Sequence, residues 1–476
     1  MTRRQTNRWL ILQVINLGTF MNTLDVGIVN LALPTMADQF QTTLSFIQWV
    51  VTSYLLSMVA LLPVLGKLSD RFGRRHIYSY GFLVFGLGSM MAALSTSLAA
   101  IIVARCVQGV GATMIMANSQ AMVRAVFPDH ERGKALGINT IVMSLGTLSG
   151  PAVGGFLMEL AGWPLLFWIN VPISVLAMAL GLRWFPDNER TRQPLDIIGS
   201  TMLAIASSLL MVAAAQSERH GFSEEVLTAG GAGLVLIAAL VLYELRLEHG
   251  ILDRILYTNP HIGIGNLSAF LFYAAQMATL IPVTFYMQNG LNMSTSTMGL
   301  VLAIQPVCMG LMGPIAGWYR DRYGAFGPTT AGALCCASAM VPVFAGGVIS
   351  LADVVVYSVL FGIGQGLFLA SNNADIMGNA PAHKASLVGS MLALVRYFGM
   401  IVGIALAVLF VGSLGSDVDP VALAPKVRWL FGICCALSLG FAGLGLMRPR
   451  RRSDVAPDAP RALPETERHP VHADNR

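Results

Sequence analysis

A chain of 476 residues with 55% hydrophobic and 12% charged residues, and a mean hydropathy of +0.65, falls outside the soluble range, where about 25% of residues are charged. Its formal net charge of +5 does not indicate nucleic acid, because the Lys and Arg residues are spread over short loops instead of forming one basic patch. The solvent is lipid, and the absence of alternating ten-residue segments excludes a β-barrel.

Basic residues followed by an apolar run at the start look like a signal peptide, but no soluble domain follows, so the run is read as an uncleaved first helix. Apolar runs long enough to cross the hydrocarbon core are predicted at 9–32, 45–65, 76–96, 98–122, 134–158 and 163–182, then 195–215 and 226–244. Six more follow at 260–289, 296–318, 326–348, 351–377, 385–411 and 427–447. The six cysteines, Cys106, Cys308, Cys335, Cys336, Cys434 and Cys435, all lie in these runs without metal-ligand spacing and are read as reduced, packed residues.

Basic residues test the count of fourteen. They concentrate at the N-terminus (Arg3, Arg4, Arg8), in loop 2–3 (Lys67, Arg71, Arg74, Arg75), loop 4–5 (Arg124, Arg132, Lys134) and loop 6–7 (Arg183, Arg190, Arg192). The same end carries Arg246, Arg254, Arg320, Arg322, Lys384 and the tail from Arg448, whereas the opposite loops hold only Arg219, Lys426 and Arg428. The positive-inside rule then places both termini in the cytoplasm of a multi-pass protein of the cytoplasmic (inner) membrane.

An internal repeat supports the plan. Gly66-Lys-Leu-Ser-Asp70-Arg71-Phe-Gly73 after span 2 recurs 251 residues later as Gly317-Trp-Tyr-Arg-Asp321-Arg322-Tyr-Gly324 after span 10. The expected division is a six-helix bundle over 1–188, a two-helix insertion over 189–255, a second six-helix bundle over 256–450 and a disordered cytoplasmic tail over 451–476, a parallel two-half transporter arrangement.

Four segments carry chemistry. Span 1 contains Leu24-Asp25-Val-Gly-Ile-Val-Asn30-Leu-Ala-Leu-Pro34. A carboxylate this deep costs several kcal/mol unless it is neutralised, paired or wetted, so Asp25 is either a proton-exchanging group or a structural carboxylate satisfied by Asn22, Thr23 or other neighbours. Arg105, in Arg105-Cys-Val-Gln108-Gly109-Val-Gly111-Ala of span 4, sits about eight residues from the external end of its span, as Asp25 does from that of span 1. At 1.5 Å per residue both lie roughly 12 Å deep. The two charges can satisfy each other, with Gln108 one turn on, either as a coupling pair or as a tie between spans 1 and 4. The loop 2–3 segment Gly66-Lys-Leu-Ser-Asp-Arg-Phe-Gly-Arg-Arg75 suits a gating clamp in a short turn, built on Gly66, Asp70, Arg71, Gly73 and Arg74 and repeated at Asp321 and Arg322; simple basic anchoring is the alternative. Span 5 carries Gly146, Gly150, Pro151, Gly154 and Gly155, small residues that permit close packing and a kink.

With these four segments at these four places, nearly the whole chain resembles the fourteen-helix drug:proton antiporters of the major facilitator superfamily. The resemblance implies an all-α membrane fold of two six-helix bundles plus two inserted helices, Asp25 as a proton and cation site, Arg105 as a proton-coupling residue and the span 5 glycines as an antiporter motif of exporters. It implies no cofactor, the proton gradient serving as energy source, and as partners a small-molecule substrate, protons and membrane lipid, without nucleic acid, around a monomer.

In the second half, Asn372, Asn373 and Asp375 lie toward the basic end of span 12. Arg396 lies roughly 16 Å into span 13; the depths differ, so no ion pair is expected, yet an intramembrane Arg is functional by default. Tyr273, Gln276 and Gln305 either line a central cavity or pack as ordinary helix residues, and the 25 Met suit adaptable binding. Asp353 and Glu159 fall at span ends as interfacial residues. The chain holds no H-E-x-x-H or P-loop, and its histidines are scattered, so neither an enzyme nor an ATP-driven pump is expected. The expected mechanism is alternating access, with an amphipathic, cationic compound and a proton competing for Asp25. A dedicated exporter of one host metabolite or lipid-like compound, and a non-transporting sensor, remain alternatives.

Overall fold

The computed structural model describes residues 7–186, 197–220, 223–244, 259–345, 349–380, 385–411 and 420–448. The expected tail 451–476 and the basic residues Arg190, Arg192, Arg246, Arg254 and Lys384 lie outside the described residues.

Every predicted span falls on a helix. The first half comprises α1 (Arg8–Gln39), α2 (Trp49–Phe72), α3 (Arg74–Ala93), α4 (Leu98–Val126), α5 (Asp129–Ala161) and α6 (Asn170–Trp184). Then come α7 (Ile197–His220) and α8 (Glu224–Glu244), followed by α9 (Pro260–Phe285), α10 (Thr295–Tyr323), α11 (Phe326–Ala345), α12 (Leu351–Gly378), α13 (Ala385–Val411) and α14 (Pro420–Leu446). Among the described residues, eleven segments are long and apolar enough to cross a membrane, and α7 adds the shorter apolar helix Ile198–Ala213. Large apolar side chains such as Phe156, Leu160, Val235 and Leu311 point outward, as a lipid-facing surface requires.

Several boundaries differ from the sequence reading. Helix α1 continues through Pro34 to Gln39 because its polar last turns find partners: Trp163 Nε1 donates to Gln39 Oε1 at 2.6 Å and Gln288 Nε2 to Asp38 Oδ2 at 3.2 Å. Span 6 is divided between Pro164–Trp168 and α6, and α9 closes in a π-helical turn, Tyr286–Gly290. Cys106 is exposed on the outer face of α4, not packed as expected.

The two halves pack alike. In the first, α1 lies on α5, α4 on both α2 and α3, and α3 on α6. In the second, α9 lies on α13, α12 on both α10 and α11, and α11 on α14. Where Gly109 meets the Tyr54 carbonyl and Ser57, Gly362 meets the Gln305 carbonyl and Cys308, each partner 251 residues on. Two seams join the halves, α5 on α10 and α2 on α13, and α7 of the inserted pair packs against both helices of the second seam.

Candidate functional site

Asp25 and Arg105 meet. Arg105 Nη1 donates to Asp25 Oδ2 at 2.6 Å, and neither side chain has any exposure. Arg105 also donates from Nη1 to Gln108 Oε1 at 2.6 Å and from Nε to the Val50 carbonyl at 2.8 Å. Gln108 Nε2 donates to Asp25 Oδ1 at 2.8 Å and to Ser89 Oγ at 2.8 Å, and Asn170 Nδ2 reaches Asp25 Oδ1 at 3.2 Å. The carboxylate therefore accepts three hydrogen bonds from α4 and α6, the charge-assisted kind that makes an ion stable away from water.

Asp25 pairs with Arg105 even though α1 runs fourteen residues past Asp25, to Gln39, well beyond the expected span end at 32. Helix ends are simply not coplanar. Asn22 and Thr23 do not satisfy Asp25: Asn22 Oδ1 accepts from Tyr54 at 2.5 Å, and Thr23 bonds back to its own helix. The Tyr54 ring lies 4.2 Å from the Arg105 guanidinium carbon, a cation–π contact that links α2 to the pair. Sequence reasoning missed Asn170, Ser89 and Tyr54; a lone Asn inside the apolar run of span 6 was the available signal. With Asp25 enclosed inside the first bundle, cargo cannot touch it in this conformation, which removes the geometric basis for direct competition between a cationic compound and a proton.

The loop 2–3 segment is mostly helix. Residues Gly66–Phe72 complete α2, and the turn is Gly73 alone at φ +104°, repeated at Gly324 with φ +89° after α10. Such φ values favour glycine. Arg71 stacks by Phe72 at 5.9 Å and Arg322 by Tyr323 at 5.6 Å, and Arg75 donates to the Leu182 carbonyl of α6. The side chains of Asp70 and Asp321 lie outside the described residues.

The α5 glycines serve two neighbours. Gly150 lies against α1, where an added Cβ would stand 3.0 Å from Gly27 Cα, and Gly146 lies against the Phe20 carbonyl. Gly399 and Gly403 repeat this on α13 against Phe270 and Ala274 of α9. Glycines also make the α5–α10 seam between the halves: Gly155 abuts the Thr295 carbonyl, and Gly299 abuts the carbonyl of Pro151. Gly154 packs on Ile28. Around this seam Thr35 donates to Gln288 Oε1 at 3.4 Å and Ser296 N to Glu159 Oε1 at 3.2 Å. Glu159 thus ties the halves together, beyond an interfacial role, while Asp353 forms a capping box with Ser350.

The second-half candidates separate into groups. Asp375 Oδ2 meets Arg448 Nη1 at 3.4 Å and His261 Nδ1 at 3.1 Å, and Asn372 Oδ1 accepts from Arg448 Nη2. Sequence reasoning found the acid but not Arg448 or His261, which stand at the ends of other spans. Asn373 Oδ1 is buried without a partner. Gln305 donates to Gln365 at 2.9 Å. Tyr273 and Gln276 are 7% and 8% exposed on α9. Arg396 meets Tyr397, Tyr273 and Met143 and no carboxylate among the described residues. Among those residues no cluster of His, Cys, Asp or Glu suits a metal ion.

Comparisons agree with this architecture. The family model for the Major Facilitator Superfamily matches residues 15–404 and again 265–472. The chain is 35% identical over 405 residues to the riboflavin transporter RibZ of Clostridioides difficile (strain 630), covering 84% of this chain and 87% of that one. It is 30% identical to the multidrug resistance protein Stp of Mycobacterium tuberculosis (strain CDC 1551 / Oshkosh), covering 84% and 75%. To the tetracenomycin C resistance and export protein of Streptomyces glaucescens it is 29% identical, covering 89% and 77%. A duplicated six-helix plan, an inserted helix pair and this match along most of its length make the chain a multi-pass transporter of the Major Facilitator Superfamily, not an enzyme.

Proposed function

We propose that this transporter is a proton-coupled exporter of small amphipathic compounds, working by alternating access as a monomer in the cytoplasmic membrane with both termini inside. The observation that carries the reading is the enclosed Asp25–Arg105 pair at 2.6 Å. A charge pair with no exposure holds its geometry only while both partners are ionised. Protonating Asp25 removes the attraction and leaves Arg105 held by Val50, Gln108 and the Tyr54 ring, two of which belong to α2. Since α2 touches α13 of the other half, a local neutralisation acts on a seam between the halves, which is how one proton biases a two-state element.

The positive-inside rule assigns the basic end to the cytoplasm. The α5–α10 seam then lies on the outer side and is closed, so this conformation is not open to the outside. The bundles divide near 1–188 and 256–450, with 189–255 inserted. Asp70, Arg71, Gly73 and Arg74, and the repeat at Asp321 and Arg322, form the inner gate. Relatives named for multidrug resistance and for antibiotic export support export of foreign amphipathic compounds.

The test is efflux from proteoliposomes under an imposed proton gradient, with a panel of cationic, neutral and anionic dyes, comparing the native chain with Asp25→Asn. Gradient-driven flux abolished by the substitution supports the reading; flux that ignores both gradient and substitution rejects it. A second reading, a dedicated exporter of one metabolite, is favoured by the 35% identity to a riboflavin transporter. It predicts flux of riboflavin or one related compound and of none of the dyes.

A further inference from the structure

A cation in the membrane interior is stable only when it is paired, fully hydrogen-bonded or wetted. Arg105 meets that condition within the protein, and Arg396 does not. Arg396 stands eleven residues into α13, about 16 Å from its start at 1.5 Å per residue. Its Nη2 donates to Tyr397 Oη at 3.2 Å, its guanidinium carbon lies 4.8 Å from the Tyr397 ring, and the Tyr273 hydroxyl is beside it. Its Nη1 reaches Met143 Sδ of α5 at 3.9 Å, across the boundary between the halves. Its Nε is buried with no partner, and no carboxylate accompanies it among the described residues. One turn beyond Tyr273 on α9, the Gln276 Oε1 is likewise buried and unpartnered.

We infer that Arg396 is the recognition group for cargo bearing an anionic oxygen on a planar apolar body, the cargo supplying the counter-charge that the protein withholds. A carboxylate, a phosphate or an ionised enol fits the guanidinium fork. Tyr397 and Tyr273 flank it with rings and hydroxyls, the polar handle on an apolar surface that aromatic cargo requires. Met143 brings an adaptable contact from the opposite half, so cargo held at Arg396 touches both halves and is positioned to report its presence to their equilibrium. Asp25, an acid that a cationic compound would seek, is enclosed and already paired. The inference deepens the transport reading and rests on it for flux, though not for binding.

The experiment measures saturable binding to the purified full-length chain of three matched probes: 1-pyrenebutyrate, its neutral methyl ester and a pyrenylalkyl trimethylammonium. The expected result is at least a tenfold preference for the anion over both others, with Arg396→Gln bringing the anion-to-ester ratio to about one and Arg396→Lys keeping part of it. Binding of the cation as tight as that of the anion overturns the inference. So does an unchanged ratio in Arg396→Gln, or displacement of the anion by chloride at comparable concentration. Should Arg396→Gln fail to fold, the native preference decides alone. Anion-selective binding without gradient-driven flux of any probe would sink the transport reading and leave the binding site standing.

Discussion

Arg105 donates to Asp25 at 2.6 Å while its own guanidinium rests 4.2 Å from the Tyr54 ring. One side chain therefore joins α1, α2 and α4. Removing one partner of such a pair leaves a bare charge in a low-dielectric interior, at a cost of about 3–5 kcal/mol, whereas neutralising both is far milder. Asp25→Asn alone is expected to lower the melting temperature of the purified protein, and Asp25→Asn with Arg105→Gln to recover more than about 1 kcal/mol of that loss. Strictly additive losses would show that the pair does not act as a unit.

How much of this was legible in the sequence follows from what each signal encodes. Span positions came from hydropathy, and the Gly66–Gly73 repeat at Gly317–Gly324 disclosed the duplication; both are local properties. The Asp25–Arg105 pair was legible because buried opposite charges must find each other. Asn170 and Ser89 were not, because polar residues inside apolar runs acquire meaning only once helix rotation is known. Arg448 hid at the edge of a basic tail, where a positive-inside residue and the buried partner of Asp375 look the same. The enclosure of Asp25 was illegible for the same reason: sequence gives depth along a helix and leaves open which face turns to the cavity.

The α5–α10 seam has backbone on backbone. A Cβ at Gly155 would lie 2.7 Å from the Thr295 carbonyl, closer than such atoms approach, so one helix must move. Gly155→Val is expected to open this seam, shifting the population toward the outward-facing state by about 1–3 kcal/mol. A cysteine placed at Ser296 should then react several-fold faster with an impermeant maleimide than in the native background. Unchanged labelling would mean that the seam is not a closure.

The turns at Gly73 and Gly324 offer a cleaner measurement. Both have positive φ, at +104° and +89°, and among the described residues nothing crowds a Cβ at either: one added at Gly73 would stand an ordinary 3.5 Å from His76 Nδ1, and one added at Gly324 would have no neighbour within 4 Å. The cost of alanine there is conformational, about 1–2 kcal/mol at each site. Gly73→Ala and Gly324→Ala should destabilise equally in thermal unfolding, and asparagine should be tolerated no better than alanine, because ψ values of 118° and 168° lie outside the αL region that asparagine visits. A much larger loss at Gly73 would indicate that the first-half turn carries contacts the second-half turn lacks.

The inserted pair sits asymmetrically on a symmetric plan. Of the two seams between the halves, α7 covers α2–α13 and leaves α5–α10 to its own glycines. A helix bound to both sides of a seam must slide against at least one when the halves rock, and sliding favours a small-residue surface. The buried stripe of α7 away from α8 runs Ser200, Leu203, Ser207 and Met211, with no exposure at Ser207, while Ala206 and Ala213 back onto α8 at Gly233 and Gly230. Ser207→Phe is therefore expected to slow cargo flux about tenfold, since overpacking a tight contact costs about 1–3 kcal/mol. A phenylalanine at Val235, which is 69% exposed on α8, should be silent. Equal effects of the two substitutions would make the insertion a passive lipid-facing hairpin, and a Ser207→Phe protein that unfolds earlier yet transports normally would make α7 a brace instead of a bearing.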